Sequence, residues 1–89
     1  MSALEVLELE LKNLVIEAAV LEDVTPEEID SETPLFADGL GLDSIDALEI
    51  AVAIDQRYGV ETKEDEEENA VHFATIRNLA RFVAERRVK

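Results

Sequence analysis

Residues 39–50 read Gly-Leu-Gly-Leu-Asp-Ser-Ile-Asp-Ala-Leu-Glu-Ile, a glycine-broken turn that leads directly into a helical pattern. Gly39 and Gly41 allow backbone conformations that a side chain would disfavour. Asp43 or Ser44 suits the N-cap position, because a side-chain oxygen there accepts hydrogen bonds from the free N–H groups of the first helical turn. Those N–H groups and the positive end of the helix dipole also favour an anion. The stretch therefore predicts a serine at the start of a helix, in a place suited to phosphate.

The helix that begins here is predicted to run from about Ser44 to Tyr58, with Gly59 as the C′ residue. Its side chains form three stripes. The first apolar stripe, assigned to the core, comprises Ala47, Ile50, Ala51, Ile54 and Tyr58. A polar stripe comprises Asp46, Glu49 and Gln56, and a second apolar stripe comprises Ile45, Leu48 and Val52. Because a small monomer rarely places apolar residues all around a helix, this second stripe either packs under the preceding loop or faces a partner.

Two other long helices are predicted from apolar residues that recur every three or four positions. The first covers residues 3–21, with Ser2 as N-cap and Glu5 completing a capping box. A coiled-coil strand is the alternative, which is disfavoured because the apolar stripe lasts under three heptads. The last helix opens at Thr75 and ends in a basic segment that complements the helix dipole.

The connections carry weaker signals. Thr25-Pro26-Glu27-Glu28 predicts a short helical turn, with Thr25 as cap, Pro26 at the first position and Glu28 completing a capping box. Leu35-Phe36 is expected to fold back as an apolar plug. A short helix around Ala70–Phe73 is expected before the last long one. The element order predicts an all-α fold, a small bundle of three main helices plus one short helix, with a long loop between the first two.

The composition describes one small, strongly acidic domain, which we place at residues 1–89. The chain has 22 acidic and eight basic residues, for a formal net charge of −14. This charge argues against nucleic acid and anionic membranes and favours basic protein surfaces. The chain contains no cysteine, so any thiol must come from an added group. Without a signal peptide or a spanning apolar run, we expect a cytoplasmic monomer.

The sequence gives little indication of a metal site or a catalytic site. The acidic segment 61–69 lacks the alternating ligands, central glycine and closing glutamate of a calcium loop. His72, the sole histidine, has no nearby cysteine and no matched aspartate–serine pair, so we expect a surface or part-buried role. No catalytic residue and no metal ligand is assigned.

Residues 41–49, Gly-Leu-Asp-Ser-Ile-Asp-Ala-Leu-Glu, resemble the phosphopantetheine attachment motif of acyl carrier proteins. In that family Asp-Ser-Leu or Asp-Ser-Ile follows a Gly-x pair and precedes an acidic, apolar helix. The strict match is local, but length, charge and element order are similar to the family over the whole chain. The resemblance implies a discrete acyl carrier protein and not an enzyme.

By this resemblance Ser44 is the attachment serine, esterified by the phosphate of 4′-phosphopantetheine. A phosphopantetheinyl transferase would move this group from coenzyme A, with a divalent ion as Lewis acid. The resulting phosphoprotein would carry acyl groups as thioesters in fatty-acid, polyketide or related biosynthesis. Ketosynthase and other acyl-processing enzymes would dock through basic surfaces. The implied docking residues are Asp43, Ile45, Asp46, Leu48, Glu49 and Val52.

Two departures from the family and two alternatives stay open. Thr62 stands where many fatty-acid carriers place an apolar residue that lines the acyl pocket, and the segment before the last helix is a few residues longer. A peptidyl or aryl carrier would share the fold and the arm. An unmodified helical interaction module would use Ser44 only as a cap. A hydrolase that used Ser44 would need a base and an oxyanion site, which the sequence does not indicate.

Overall fold

A computed structural model describes residues 3–36, 41–62 and 71–88, with Ser44 described through its backbone. Within these residues the protein is all helical and contains no strand, which confirms the predicted all-α bundle. The elements are helix α1 at Ala3–Ala18, a 3₁₀ turn at Pro26–Glu28, helix α2 at Ser44–Tyr58 and helix α3 at Ile76–Arg86.

The buried apolar side chains form one core cluster, to which all three helices contribute. Helix α1 supplies Leu7, Leu11, Leu14 and Val15; α2 supplies Ile50, Ile54 and Tyr58; α3 supplies Ile76, Leu79, Ala80, Phe82 and Val83. The connections add Ile29, Leu35, Leu42, Val60 and Phe73. The stripe of α2 that the sequence assigned to the core therefore faces it, with Ala47 and Ala51 partly buried at its edge.

Helix α1 ends at Ala18, three residues earlier than predicted. Val20 adopts a left-handed conformation with φ of 54°, and the Leu21 N–H donates to the Ile16 carbonyl at 2.9 Å. A six-to-one hydrogen bond around a left-handed residue is characteristic of the Schellman motif at helix C-termini, where the left-handed residue is usually glycine. The apolar periodicity continues through Leu21, and for this reason the sequence pattern alone overextends the helix.

Val20→Gly is expected to stabilise the protein by about 0.5–1 kcal/mol, because a left-handed β-branched residue is strained more than glycine costs in chain entropy. Val20 is 69% exposed, so the substitution removes little packing. Urea titration of the two proteins measures the difference in free energy of unfolding. Ala19→Gly is the matched control and should destabilise, since Ala19 is not among the residues with positive φ. Equal effects of both substitutions would show that Val20 carries no such strain.

The predicted capping box at Thr25 is wrong, although Pro26 does open the turn. The Thr25 side chain makes no capping hydrogen bond. Instead, the Glu28 N–H donates to the Thr25 carbonyl oxygen at 3.0 Å. In a single 3₁₀ turn the backbone carbonyl takes the N–H group that a capping side chain would otherwise bind.

Leu35 links the start of α3 to the turn before α2. Its side chain is fully buried, whereas Phe36 is partly buried against the core, so the predicted apolar plug is confirmed with Leu35 as its deepest residue. The Leu35 N–H donates to the Ala74 carbonyl at 2.9 Å, and the Leu35 carbonyl accepts from the Leu42 N–H at 3.1 Å. The residue two positions before Ser44 is thereby fixed to the rest of the bundle.

Several predicted features fall wholly or partly outside the described residues. These are the Ser2 cap, Gly39, most of the acidic segment 61–69 and the start of the predicted short helix at Ala70. Val71 and His72 are helical where the description resumes. Thr75 opens α3 as predicted, since its hydroxyl oxygen accepts the Asn78 N–H at 3.1 Å.

Candidate functional site

Asp43, and not Ser44, is the N-cap of α2. One carboxylate oxygen of Asp43 accepts the N–H groups of Ile45 and Asp46, each at 3.0 Å. In return the Asp43 N–H donates to the carboxylate of Asp46 at 3.1 Å, which completes a capping box. Ser44 is therefore the first helical residue, and the capping role is already filled by its neighbour.

This capping box was not predicted from the sequence, although an acidic residue three positions after Asp43 is a signal for it. The box also corrects the expected anion site. The N–H groups of Ile45 and Asp46 are taken by the Asp43 carboxylate, so they are not free for a phosphate. The positive end of the helix dipole still favours a phosphate on Ser44.

In the turn before Ser44, Gly41 is exposed to solvent and Leu42 packs in the core. Gly41 is exposed and has a φ of 72°, a conformation that a side chain would disfavour. Leu42 is buried in the core cluster and donates its N–H to Leu35. Asp43 and Ile45, on either side of Ser44, are both exposed. The chain thus presents the start of α2 to solvent on an anchored turn.

The second apolar stripe of α2 lies in solvent. Ile45 is 67% exposed, Leu48 65% and Val52 47%, and none of them belongs to the core cluster. Glu49 is exposed beside them and Asp46 is half-buried. At 1.5 Å of rise per residue, the stripe extends roughly 12 Å along the helix from Ser44. An apolar surface with an acidic rim therefore begins next to the serine.

Tyr58 ties the far end of α2 to α1 and to the C-terminal segment. Its hydroxyl donates to the Glu10 carboxylate at 3.0 Å, and its carbonyl accepts the Val88 N–H at 2.9 Å. The Arg87 guanidinium lies 4.9 Å from the centre of the ring. Burial, with a further contribution from Glu10, raises the pKa of Tyr58 to about 12.

This raised pKa predicts a loss of stability at alkaline pH. The raised pKa means that the folded state favours the neutral, protonated form of Tyr58. The stability that this preference contributes is fully present below the ordinary pKa of 10 and is lost as the pH rises toward about 12. The free energy of unfolding should fall over this range, and Tyr58→Phe should make the fall shallower while costing stability at neutral pH. Urea titrations from about pH 9 to about pH 12 measure both slopes. Parallel slopes would show that other groups cause the alkaline loss.

His72 has a packing role. Its ring stacks on Phe82 with the centroids 4.2 Å apart, and it is partly buried, as the sequence suggested. Across residues 3–36, 41–62 and 71–88, no group of three or more histidine, cysteine, aspartate or glutamate side chains is placed to hold a metal ion. In the same part of the chain, every helix is too short or too polar to cross a bilayer.

Thr62 has an unexpected environment. Its hydroxyl oxygen is buried and has no hydrogen-bond partner within the described part of the chain. Val60, two residues earlier, is fully buried, whereas the intervening Glu61 is exposed. The sequence shows Thr62 as an unusual residue for its position but does not show that its hydroxyl lacks a partner.

Comparisons with known proteins find similar sequences over most of the chain. The family model described as phosphopantetheine attachment site matches residues 10–83. An acyl carrier protein of Streptomyces coelicolor is 40% identical over 76 residues, which are 85% of this chain and 76% of the relative. One from Wolinella succinogenes is 30% identical over 74 residues, 83% of this chain and 88% of the relative. One from Phenylobacterium zucineum is 33% identical over 64 residues, 72% of this chain and 76% of the relative.

Proposed function

Because the chain belongs to the acyl carrier protein family, we propose that it carries acyl intermediates as thioesters on an arm attached to Ser44. As a member of this family it is a carrier and not an enzyme. Its prosthetic group is covalently attached 4′-phosphopantetheine. The attachment residue, the partners and the pathway are the parts that we propose.

The observation that carries the assignment is the capping of α2 by Asp43. In the alternative of an unmodified interaction module, Ser44 serves as the N-cap. That role belongs to Asp43, whose carboxylate holds two N–H groups of the first turn. The cap of α2 is therefore a neighbour of Ser44, and a serine at the first helical position beside the exposed Asp43 and Ile45 suits a modified residue.

The residues around Ser44 fit a phosphodiester-linked arm. Asp43 and Ile45 are exposed, and Gly41 turns the chain without a side chain. In the transfer, the Ser44 hydroxyl oxygen attacks the phosphorus that bears the pantetheine half of coenzyme A. The bond from this phosphorus to the bridging oxygen breaks, adenosine 3′,5′-bisphosphate leaves, and the serine proton passes to a base on the transferase. The attached group then supplies the thiol that this cysteine-free chain lacks.

We propose that the exposed stripe of α2 is the docking surface for the transferase, ketosynthase and other acyl-processing enzymes. Ile45, Leu48 and Val52 would be covered by an apolar groove of the partner. The carboxylates of Asp43, Asp46 and Glu49 would face basic side chains around that groove and steer the encounter. The charge of −14 adds a long-range attraction to any basic surface.

Fatty-acid, polyketide or related biosynthesis is the pathway class we propose, with a peptidyl or aryl carrier as the alternative. The exposed acidic residues beside the apolar stripe favour the acyl class. A single domain over residues 1–89, a monomeric state, a cytoplasmic location and the absence of nucleic-acid and membrane partners stay predictions from the sequence.

The proposal is tested by incubating the unmodified protein with coenzyme A, Mg²⁺ and a promiscuous phosphopantetheinyl transferase. The intact mass should increase by one arm per chain. The Streptomyces coelicolor relative, treated in the same mixture, is the positive control. If the relative is modified and this chain is not, the carrier assignment at Ser44 fails.

A further inference from the structure

The hydroxyl group of Thr62 is buried, and the described part of the fold gives it no hydrogen-bond partner. Within the described residues no group hydrogen-bonds to its oxygen. The buried hydroxyl of Tyr58, by contrast, donates to Glu10 at 3.0 Å. Buried polar groups almost always have a partner, because an unpaired one costs stability. An unpaired hydroxyl inside so small a protein therefore points to a group that arrives from outside.

Thr62 lies beside the core. Burial alternates from Val60, a fully buried member of the core cluster, through the exposed Glu61 to the partly buried Thr62. The buried hydroxyl oxygen of Thr62 therefore lies two residues along the chain from a side chain that belongs to the core.

The core cluster is an apolar shelter that the described residues offer to an acyl chain. The buried apolar side chains of the described residues belong to a single cluster, and an acyl chain that enters this cluster is removed from water. A saturated chain offers nothing to a hydroxyl group. A keto or hydroxyl oxygen on the chain does, because a threonine hydroxyl both donates and accepts.

We propose that the Thr62 hydroxyl hydrogen-bonds to an oxygen atom on the acyl chain inside the core, so that the protein shelters oxygenated chains better than saturated ones. This inference rests on the proposed function, since the acyl group reaches the core only through its attachment at Ser44. It names the substrate class as acyl groups that bear a keto or hydroxyl oxygen along the chain.

The unloaded protein provides the first test, through Thr62→Val and Thr62→Ser. Valine replaces the orphaned hydroxyl with a methyl group of similar shape and should raise the melting temperature by about 4 °C or more. Serine keeps the hydroxyl and should not raise it. If valine lowers the melting temperature, the hydroxyl already has a partner in the unloaded fold and the inference is wrong.

The loaded protein provides the decisive test. The transferase loads Ser44 with amide-linked hexanoyl or 3-hydroxyhexanoyl pantetheine, probes that do not hydrolyse during a melt. In the unsubstituted protein the 3-hydroxyhexanoyl group should raise the melting temperature more than the hexanoyl group. Thr62→Val should remove this difference and Thr62→Ser should retain it.

Each outcome decides the question. Equal effects of the two probes in the unsubstituted protein, or a difference that survives Thr62→Val, would overturn the role of Thr62 and leave the carrier function standing. Failure to load either probe, while the Streptomyces coelicolor relative accepts both, would overturn the proposed function and this inference with it.

Discussion

Ser44→Ala is expected to abolish the addition of 4′-phosphopantetheine completely. Without the hydroxyl oxygen there is no nucleophile to accept the phosphoryl group. The helix should persist, because the cap of α2 is the carboxylate of Asp43 and alanine is a good helix former. Intact mass after treatment with coenzyme A and transferase measures the modification, and circular dichroism measures the helical content.

Ser31→Ala is the matched control. Ser31 lies in the loop before α2, and its backbone carbonyl accepts the Arg77 N–H at 2.9 Å. Alanine keeps that carbonyl, so this variant should be modified as fast as the unsubstituted protein. Modification that persists in Ser44→Ala, or a comparable loss in Ser31→Ala, would refute Ser44 as the attachment residue.

Leu48→Ala and Glu49→Lys are expected to weaken partner binding in different ways. Leu48 is 65% exposed, so its truncation should speed dissociation roughly tenfold by removing apolar contact with the partner. Glu49→Lys should slow association roughly 2–10-fold at low salt and weaken its salt dependence, because steering depends on charge. Stopped-flow binding to a phosphopantetheinyl transferase separates the two rates.

Two controls separate docking from folding and from net charge. Leu79→Ala truncates a fully buried residue of α3 and should cost about 2–5 kcal/mol of stability, whereas Leu48→Ala should cost well under 1 kcal/mol. Glu85→Lys makes the same charge change on an exposed position of α3 and should alter association less than Glu49→Lys. If Leu48→Ala destabilises as much as Leu79→Ala, the stripe belongs to the core and the docking proposal is wrong.

The residues around α2 show which features of the fold can be predicted from the sequence. The helix begins at Ser44 and ends at Tyr58, and Gly59 follows it in a left-handed conformation with φ of 68°, all as predicted. These features depend on local preferences for caps, glycine and apolar spacing. Local signals of this kind remain readable because the tertiary fold agrees with them.

Other features depend on contacts that a linear pattern does not contain. The end of α1 was missed because Val20 takes a left-handed conformation that its residue type disfavours. The Thr25 side chain fits a cap, yet a backbone carbonyl makes that hydrogen bond. Leu21 and Ile29, which follow these two positions in the chain, both pack in or against the core.

The candidate site also combines features that the sequence indicates with features that only the folded chain shows. Its position at the start of α2 followed from the glycines and the Asp-Ser pair, and the choice of Asp43 over Ser44 as cap required the structure. The reciprocal hydrogen bond, from the Asp43 N–H to the Asp46 carboxylate, was readable from the spacing of the two residues. The unpaired hydroxyl of Thr62 was not readable, since burial and partners are properties of the folded chain.

The most direct test of Ser44 as the attachment residue is tandem mass spectrometry of the protein recovered from its native cells. A protease that cuts after glutamate releases residues 33–49, in which Ser44 is the only serine and Thr33 the only threonine. Fragment ions that contain Ser44 are expected to carry the mass of the phosphopantetheine arm, with or without an acyl group. An unmodified peptide 33–49, or an arm on any other residue, would contradict this assignment.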